Sequence, residues 1–360
     1  MAEYELYLAT ALGVRIAPLT RWTALTWSLS ANGIGQVELT LPAQDFARGL
    51  YAVDRRLEVW RQPTGGAMGL AGVYLLRAVE RATETAQSVT LRGPSVDDLL
   101  TRRIVAYPAG SAQADKTGPA DDLMKAFVRE NLGALASVSA RDLSGLGFSV
   151  QGDLGQAPQV TKGCAWRHLL TVLQELAEAS AALGTPLWFR IVPVAGGLEF
   201  RTRVGQPGAD RTGMTQPFSL ESGALANARL VEDWRDEVTY VYGTGQGVEE
   251  AREVIEVQDA EAQVASPYNR REALADGRTY STTAGLTAFA NNRLREARAR
   301  RTFMADLLDV PGARLGVDWE FGDRVVAQYE AERFEAVVTA LRVSAQRGAE
   351  TVAARLQWSE

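Results

Sequence analysis

One layout occurs twice in this chain, and it limits the possible folds more than any other feature. The first copy runs VDRRLEVWRQ, a Gly-rich turn, GVYLLRAVERATE, a short turn and QSVTLRG. The second runs FGDRVVAQYE, a short turn, RFEAVVTALRVSAQ, a turn and ETVAARLQW. Asp54-Arg55 aligns with Asp323-Arg324 at the start of the first strand. Leu75-Leu76-Arg77-Ala78-Val79 aligns with Val337-Val338-Thr339-Ala340-Leu341 in the second. Apolar and polar residues alternate between turn-forming residues, so each copy reads as a three-stranded antiparallel meander. The same sheet unit near both ends, with other material between, predicts two related β domains in one chain. Three such chains would set six similar modules around one axis. A threefold ring could then dock on a sixfold one through equivalent surfaces.

The remaining segments fit around this repeat. Tyr4, Leu6 and Leu8 alternate as on a half-buried strand. Trp27 and Leu29, then Val37, Leu39 and Leu41, flank Asn32-Gly33, a hairpin signal because both turn positions favour positive φ. The middle changes to helical spacing. Ser95 precedes a short helix, DDLLTRR, with Asp97 and Asp98 in its first turn. Pro119 opens a second helix with Asp121 and Asp122 near its start and Gly133 after its end. A third is expected from about Ala165 to Leu183, with Trp166, Leu169, Leu170, Leu173 and Leu176 inward. Leu187 to Val194 and Gly197 to Val204 read as a hairpin around Ala195-Gly196. A fourth helix is expected from Thr283 to Arg301, with Leu286, Phe289, Ala290, Leu294 and Ala297 inward and an Arg-rich outer face.

Composition excludes several classes. The chain has 360 residues, ample for a core without disulfide or metal staples. Its one Cys, Cys164, cannot form an internal disulfide, and its one His, His168, cannot build a multi-His metal site. A net charge of -6 argues against a broad basic nucleic-acid face. No apolar run reaches the length of a membrane span, and MAEYELYLAT does not read as a signal peptide, so a soluble protein folded in a reducing cytoplasm is expected.

Each candidate for chemistry has a plainer alternative. Cys164 and His168, four apart on the expected third helix, could be a thiolate and its base, but no third orienting residue accompanies them. GTGQG at 243–247 follows a strand but lacks the third Gly of a dinucleotide loop, since position 248 is Val. A Gly-rich hairpin loop fits better, because Val254 to Val257 alternate as a second strand. No phosphate-binding G-x-x-x-x-G-K-[ST] occurs. A carboxylate pair is not excluded by counting, although no pair stands out. Arg293, Arg295, Arg298, Arg300 and Arg301 form a basic run that is either a solvated helix face or a subunit contact pairing with a neighbour's acidic residues. No catalytic, cofactor-binding or metal residue is assigned.

Several segments together resemble the tail-tip or baseplate hub proteins of long-tailed bacteriophages, the siphophage hub-like group. They are LEVWRQ, GVYLLRAVER, VTLRGPSVDDLLTRRIVAYPAGS and ADDLMKAFVRENLG, then VTYVYGTGQGVEEAR, RREALADGRTYST and GVDWEFGDRVVA, in that order from about 55 to 358. The resemblance implies a β-rich α+β fold with two related tail-tube-like antiparallel β-barrel domains. These would occupy 1–100 and 216–360, the latter with one long helix, around a helical and mixed insert at 101–215. It also implies a structural, non-enzymatic hub subunit. Three chains would form a pseudo-hexameric ring that joins the tail tube to the tip and lines the channel for genome ejection. The implied partners are the tail tube or distal tail protein ring, the tip or spike and tape-measure proteins, and DNA passing without sequence readout. The implied location is the virion tail tip, after assembly in the host cytoplasm. Hairpins around Gly65-Gly66 and Arg347-Gly348 would meet neighbouring subunits. The competing readings are a tail-associated cell-wall hydrolase using a carboxylate pair and a carbohydrate-binding β module.

Overall fold

Alternating apolar residues dominate the chain, and 47% of the described residues lie in strands against 18% in helices. The computed structural model describes residues 2–359 apart from 46–48, 83–87, 107–113, 165, 214–215, 248–250, 279–281 and 347. Two compact bodies divide the chain. One comprises Met1–Ala181, Thr185–Ala228 and Met304–Gln357; the other comprises Ala182–Gly184, Arg229–Phe303 and Trp358–Glu360.

The largest sheet is antiparallel along its main path. Its eight path strands are numbered here in chain order: β1 Ala24–Ser30, β2 Gln36–Pro42, β3 Ala78–Ala82, β4 Ser88–Pro94, β5 Leu225–Asp233, β6 Arg300–Leu308, β7 Glu332–Gln346 and β8 Ala349–Ser359. Their spatial order is β5-β6-β8-β7-β1-β2-β4-β3. Strands of the expected segments 1–100 and 216–360 therefore share one sheet. Inward positions on both sides of the β7–β1 seam are apolar and buried: Leu25, Trp27, Leu341 and Val343. A second sheet orders Arg15–Pro18, Glu3–Ala9, Arg56–Gln62 and Gly69–Leu75. Among the described residues no sheet closes on itself, so the expected barrels are open sheets in the single chain.

The insert builds a layer of its own. The helices Ala120–Asn131 and Leu169–Ala182 bury Met124, Phe127, Leu169 and Leu173 in one core with Phe189 and Phe200, from the strands Leu187–Val194 and Gly197–Val204. Asp121 and Asp122 do more than favour the first helical turn. Fully buried Lys125 donates to both carboxylates, at 3.2 and 3.1 Å. Their remaining oxygen capacity receives the backbone amides of Leu154, Gly155 and Ala157. A buried ammonium is tolerable only with such partners.

Three expected helices differ. DDLLTRR shortens to a 3-10 turn, Val96–Leu100, and Ser95 does not cap it. The Ser95 hydroxyl instead donates to Asp97 Oδ2 at 2.9 Å and accepts from Gly35 N at 3.1 Å. The third helix starts at Leu169, because Gln159–Cys164 is a strand and Trp166 takes a positive φ of 56° and faces outward. The fourth stops at Glu296. From Arg300 the apolar period is two, with Phe303, Ala305 and Leu307 buried, and the chain continues as strand β6.

In the second body Tyr240–Thr244 is flanked by antiparallel Val254–Gln258 and parallel Glu272–Asp276. The Thr283–Glu296 helix sits on this sheet through Ala290, beside Val241 and Ala275.

Candidate assembly interface

The spatial order of the large sheet contains one pattern twice. Strands β1 to β4 lie as 1-2-4-3, and β5 to β8 lie as 5-6-8-7, first-second-fourth-third in each case. The repeat seen in sequence maps onto this pattern. Arg56–Gln62 pairs with Gly69–Leu75, and the chain then crosses to β3, which pairs with β4. In the second copy Arg324–Tyr329 pairs with the first part of β7, and the rest of β7 pairs with β8.

The registers agree on both sides of the bend. Leu75 stands opposite Arg56 as Val337 stands opposite Arg324, and Ala78 opposite Arg92 as Ala340 opposite Arg355. The alignment of 75–79 with 337–341 therefore holds. The alignment of Asp54-Arg55 is one residue out: their counterparts are Gly322 and Asp323. A matching pair of backbone hydrogen bonds fixes this. Leu76 N donates to Arg55 O while Asp54 N donates to Leu76 O, as Val338 N donates to Asp323 O while Gly322 N donates to Val338 O.

Among the described residues, two modules side by side leave two rims with no strand beside them. Internally, the third strand of module two (β7) pairs with the first strand of module one (β1), from Ala340 opposite Ser30 to Gln346 opposite Ala24. The outer rims are the third strand of module one (β3) and the first strand of module two (β5), the same two strand types. Exposure follows the pairing. Leu341 and Val343 in the seam are 3% and 0% exposed. Their counterparts on the β3 rim are Val79, 41% exposed, and Arg81, also exposed. A rim with an outward Val is a template for another strand.

The sheet is also pinned to its neighbour. Arg61 grips Glu350 of β8 with two nitrogens, at 2.8 and 3.0 Å, and also donates to Leu315 O at 3.0 Å. Tyr4 O–H donates to the same carboxylate. Burial alone would raise the Glu350 carboxyl, but the Arg61 and Tyr4 hydrogen bonds outweigh it and hold the group below the ordinary glutamate range. Burial, then the bond to Glu350, pushes the Tyr4 phenol well above its usual value.

The five arginines do not share a helix face. Arg293 and Arg295 occupy the last helical turn, Arg298 lies beyond it, and Arg300 and Arg301 begin β6. All but Arg301 are exposed. Arg301 pairs with Glu232 of β5 at 2.8 Å, and Arg295 donates to Asn292 Oδ1 at 3.0 Å. Arg298, Arg300 and Arg301 line a shallow depression with Glu232, Glu237 and Glu261, so their setting is mixed in charge.

Residues 12–356 match the siphovirus ReqiPepy6 Gp37-like protein family. The chain belongs to that siphovirus tail protein family. Solved tail proteins share its fold. The prophage tail protein gp18 of Listeria monocytogenes EGD-e is 12% identical with a TM-score of 0.56, over 98% of this chain and 94% of that one. The 43 kDa tail protein of prophage MuSo2 from Shewanella oneidensis is 13% identical at 0.58, over 98% and 97%. The tail protein of Neisseria meningitidis MC58 is 12% identical at 0.52, over 99% and 96%. No curated protein matches the chain.

Cys164 ends a strand and is buried, while His168 precedes the next helix and is exposed, so the two do not share a helix face. Burial raises the Cys164 thiol, the wrong direction for a thiolate nucleophile. GTGQG leads out of Tyr240–Thr244 toward its antiparallel partner. A Cβ at Gly243 would lie 3.1 Å from that of Ala290, and one at Gly245 3.0 Å from Leu286, so these glycines let the helix approach the sheet. Among the described residues no cluster of His, Cys, Asp and Glu could hold a metal ion. No described helix is long and apolar enough to cross a membrane. Gly65 sits in its hairpin turn at φ 85°, with Gly66 beside Pro63 and Gly316 of the same chain; of the other expected contact hairpin, Arg347 lies outside the described residues.

Proposed function

We propose that the chain is a structural hub subunit of a phage tail tip or baseplate, and that three copies close into a ring by pairing β3 of one with β5 of the next. The observation that carries this reading is the doubled strand order, which leaves at the two rims the same strand types that already pair at the β7–β1 seam. In this reading the two modules, centred in 1–100 and 216–360, act as successive staves of one tube-like barrel, and the insert at 101–215 decorates it. Burying Val79 to the extent of Leu341 contributes about 1 kcal/mol per seam beyond the ladder hydrogen bonds. The ring joins a sixfold tail tube or distal tail ring to a threefold spike. Its lumen passes the tape measure and then DNA, and an overall acidic chain does not trap phosphate. The protein acts by assembly and resides in the virion. Arg293, Arg295, Arg298 and Arg300 supply a further subunit contact.

Native mass spectrometry with negative-stain imaging tests this. The expected result is a particle of three times the 39.0 kDa chain, with a central hole. Val79→Asp should give a monomer with an unchanged melting temperature, because that side chain is already exposed in the single chain. A wild-type monomer persisting at high concentration, or trimers indifferent to Val79→Asp, would overturn the reading. Alanine at the four arginines should weaken the trimer, and unchanged assembly would remove that contact.

A further inference from the structure

The insert layer contains a site that ring closure does not use. A cavity of about 490 Å³ lies between the tip of the β1–β2 hairpin, the strands Leu187–Val194 and Gly197–Val204, and the segment carrying Gln151 and Leu154. That size suits a short peptide or small ligand. Its walls carry three arginines, Arg190, Arg201 and Arg203, against one acid, Asp97. Asp97 is already used. Its Oδ1 accepts from Ile191 N at 2.7 Å and its Oδ2 from the Ser95 hydroxyl at 2.9 Å. Burial pushes its carboxyl above the ordinary range. A chain of net charge -6 thus has a basic cavity.

The arginines are ordered by the strand register. Arg190 stands opposite Arg201, and Trp188 opposite Arg203, so the four side chains form a block on one sheet face. Arg190 also lies 5.9 Å from the Phe321 ring centroid. Arg201 pairs with Glu199, and Arg203 donates to Gln206 O at 2.9 Å; both arginines are exposed.

One wall is an unfinished sheet. The strand Phe148–Val150 runs parallel to Gly197–Val204 and ends opposite Phe200. Among the described residues, Arg201–Val204 therefore continue with no strand beside them on that side. Gln151 spans the first step, its N donating to Phe200 O at 2.9 Å and its Oε1 accepting from Thr202 N at 3.0 Å. Backbone groups alternate sides along a strand, so Thr202 O and Val204 N face the same vacant position.

We infer that this cavity seats an extended acidic segment of a partner protein. The segment adds a short strand along Arg201–Val204 and sets its carboxylates against the arginine block. Main-chain pairing supplies the docking geometry and the arginines select acidic side chains.

The test is fluorescence anisotropy on the full chain with a labelled octapeptide of alternating glutamate and valine. Controls are the alternating lysine and valine peptide and a single-stranded oligonucleotide as competitor. The glutamate peptide should bind and the lysine peptide should not. Arg201→Glu combined with Arg203→Glu should weaken binding at least about tenfold, roughly 1.4 kcal/mol, with melting unchanged because both side chains are exposed. Val204→Pro removes the amide aimed at the vacant position, a place where a sheet edge tolerates proline, and should weaken binding similarly. Binding indifferent to peptide charge or to the double charge reversal overturns the proposal. So does displacement by the oligonucleotide at lower concentration than by unlabelled peptide, which would mark a general polyanion surface. Full binding by a folded Val204→Pro chain overturns strand addition. Oligomeric state measured in the same samples reports on the ring separately, since the cavity lies within one chain.

Discussion

Modules one and two share strand order and register but differ in their long central strand. In module two it is continuous, the 15 residues of β7, with a register shift between Val338 and Ala340. In module one it is cut at the matching place, into Gly69–Leu75 and β3, and the halves belong to different sheets. The bulge and the break are two degrees of one bend, consistent with bulges re-aiming strands. The break has a consequence on β4. A Cβ on Gly93 would lie 1.8 Å from Leu75 O, so only glycine fits beneath the turned-away strand. The counterpart in module two is Leu356, a fully buried side chain. The same topology thus needs no side chain where the strand breaks and accepts a large one where it runs through.

The sharpest way to break this equivalence is a matched pair of charges. Leu341→Asp places an unpaired carboxylate in the closed seam and should cost about 4 kcal/mol or more by urea denaturation. Val79→Asp, its counterpart on the open rim, should stay within about 0.5 kcal/mol in the monomer. Similar losses at both sites would show that the rim is not an unpartnered copy of the seam.

Cutting the pin on β8 should come next. Arg61→Met leaves Glu350 buried without its cation and should cost about 3 kcal/mol at neutral pH. Because folding depresses the Glu350 carboxyl, its contribution in the wild type is complete above the ordinary carboxylate range. It disappears as pH falls through the lower folded value. Melting temperatures across about pH 3 to 7 should therefore drop more steeply in the wild type than in Glu350→Gln. Parallel curves would remove the pin.

Gly93→Ala is the smallest and most local test. It should cost about 1–3 kcal/mol, since the Leu75 backbone must move. A neutral result in a chemical denaturation curve would mean that the break does not crowd β4.

How much of this was legible depends on whether the signal was local. The meander at 324–359, the hairpin at 187–204 and the register of 75–79 on 337–341 rest on alternation and turn residues, which the sequence displays, whereas the first expected meander is divided between two sheets. Identical residue types align Asp54-Arg55 with Asp323-Arg324, whereas backbone pairing matches Arg56 with Arg324. The arginine run extends a helical pattern because arginine suits a helix exterior and a strand edge equally, and only buried Phe303, Ala305 and Leu307 reveal the change of period. The β7–β1 seam joins residues more than three hundred positions apart, and alternation does not name its partner. The basic cavity was invisible for the same reason: its walls come from separate stretches, and Asp97, read as a helix-start residue, closes it by meeting Ile191.

The β7–β1 seam also sets an arithmetic. It forms when the chain folds, without any encounter between molecules, and it ties two staves into one covalent piece. Any closed collar made solely of such pieces has an even number of staves, so a five- or seven-membered miscount is forbidden by connectivity. Half of its joints are already made before the first two copies collide.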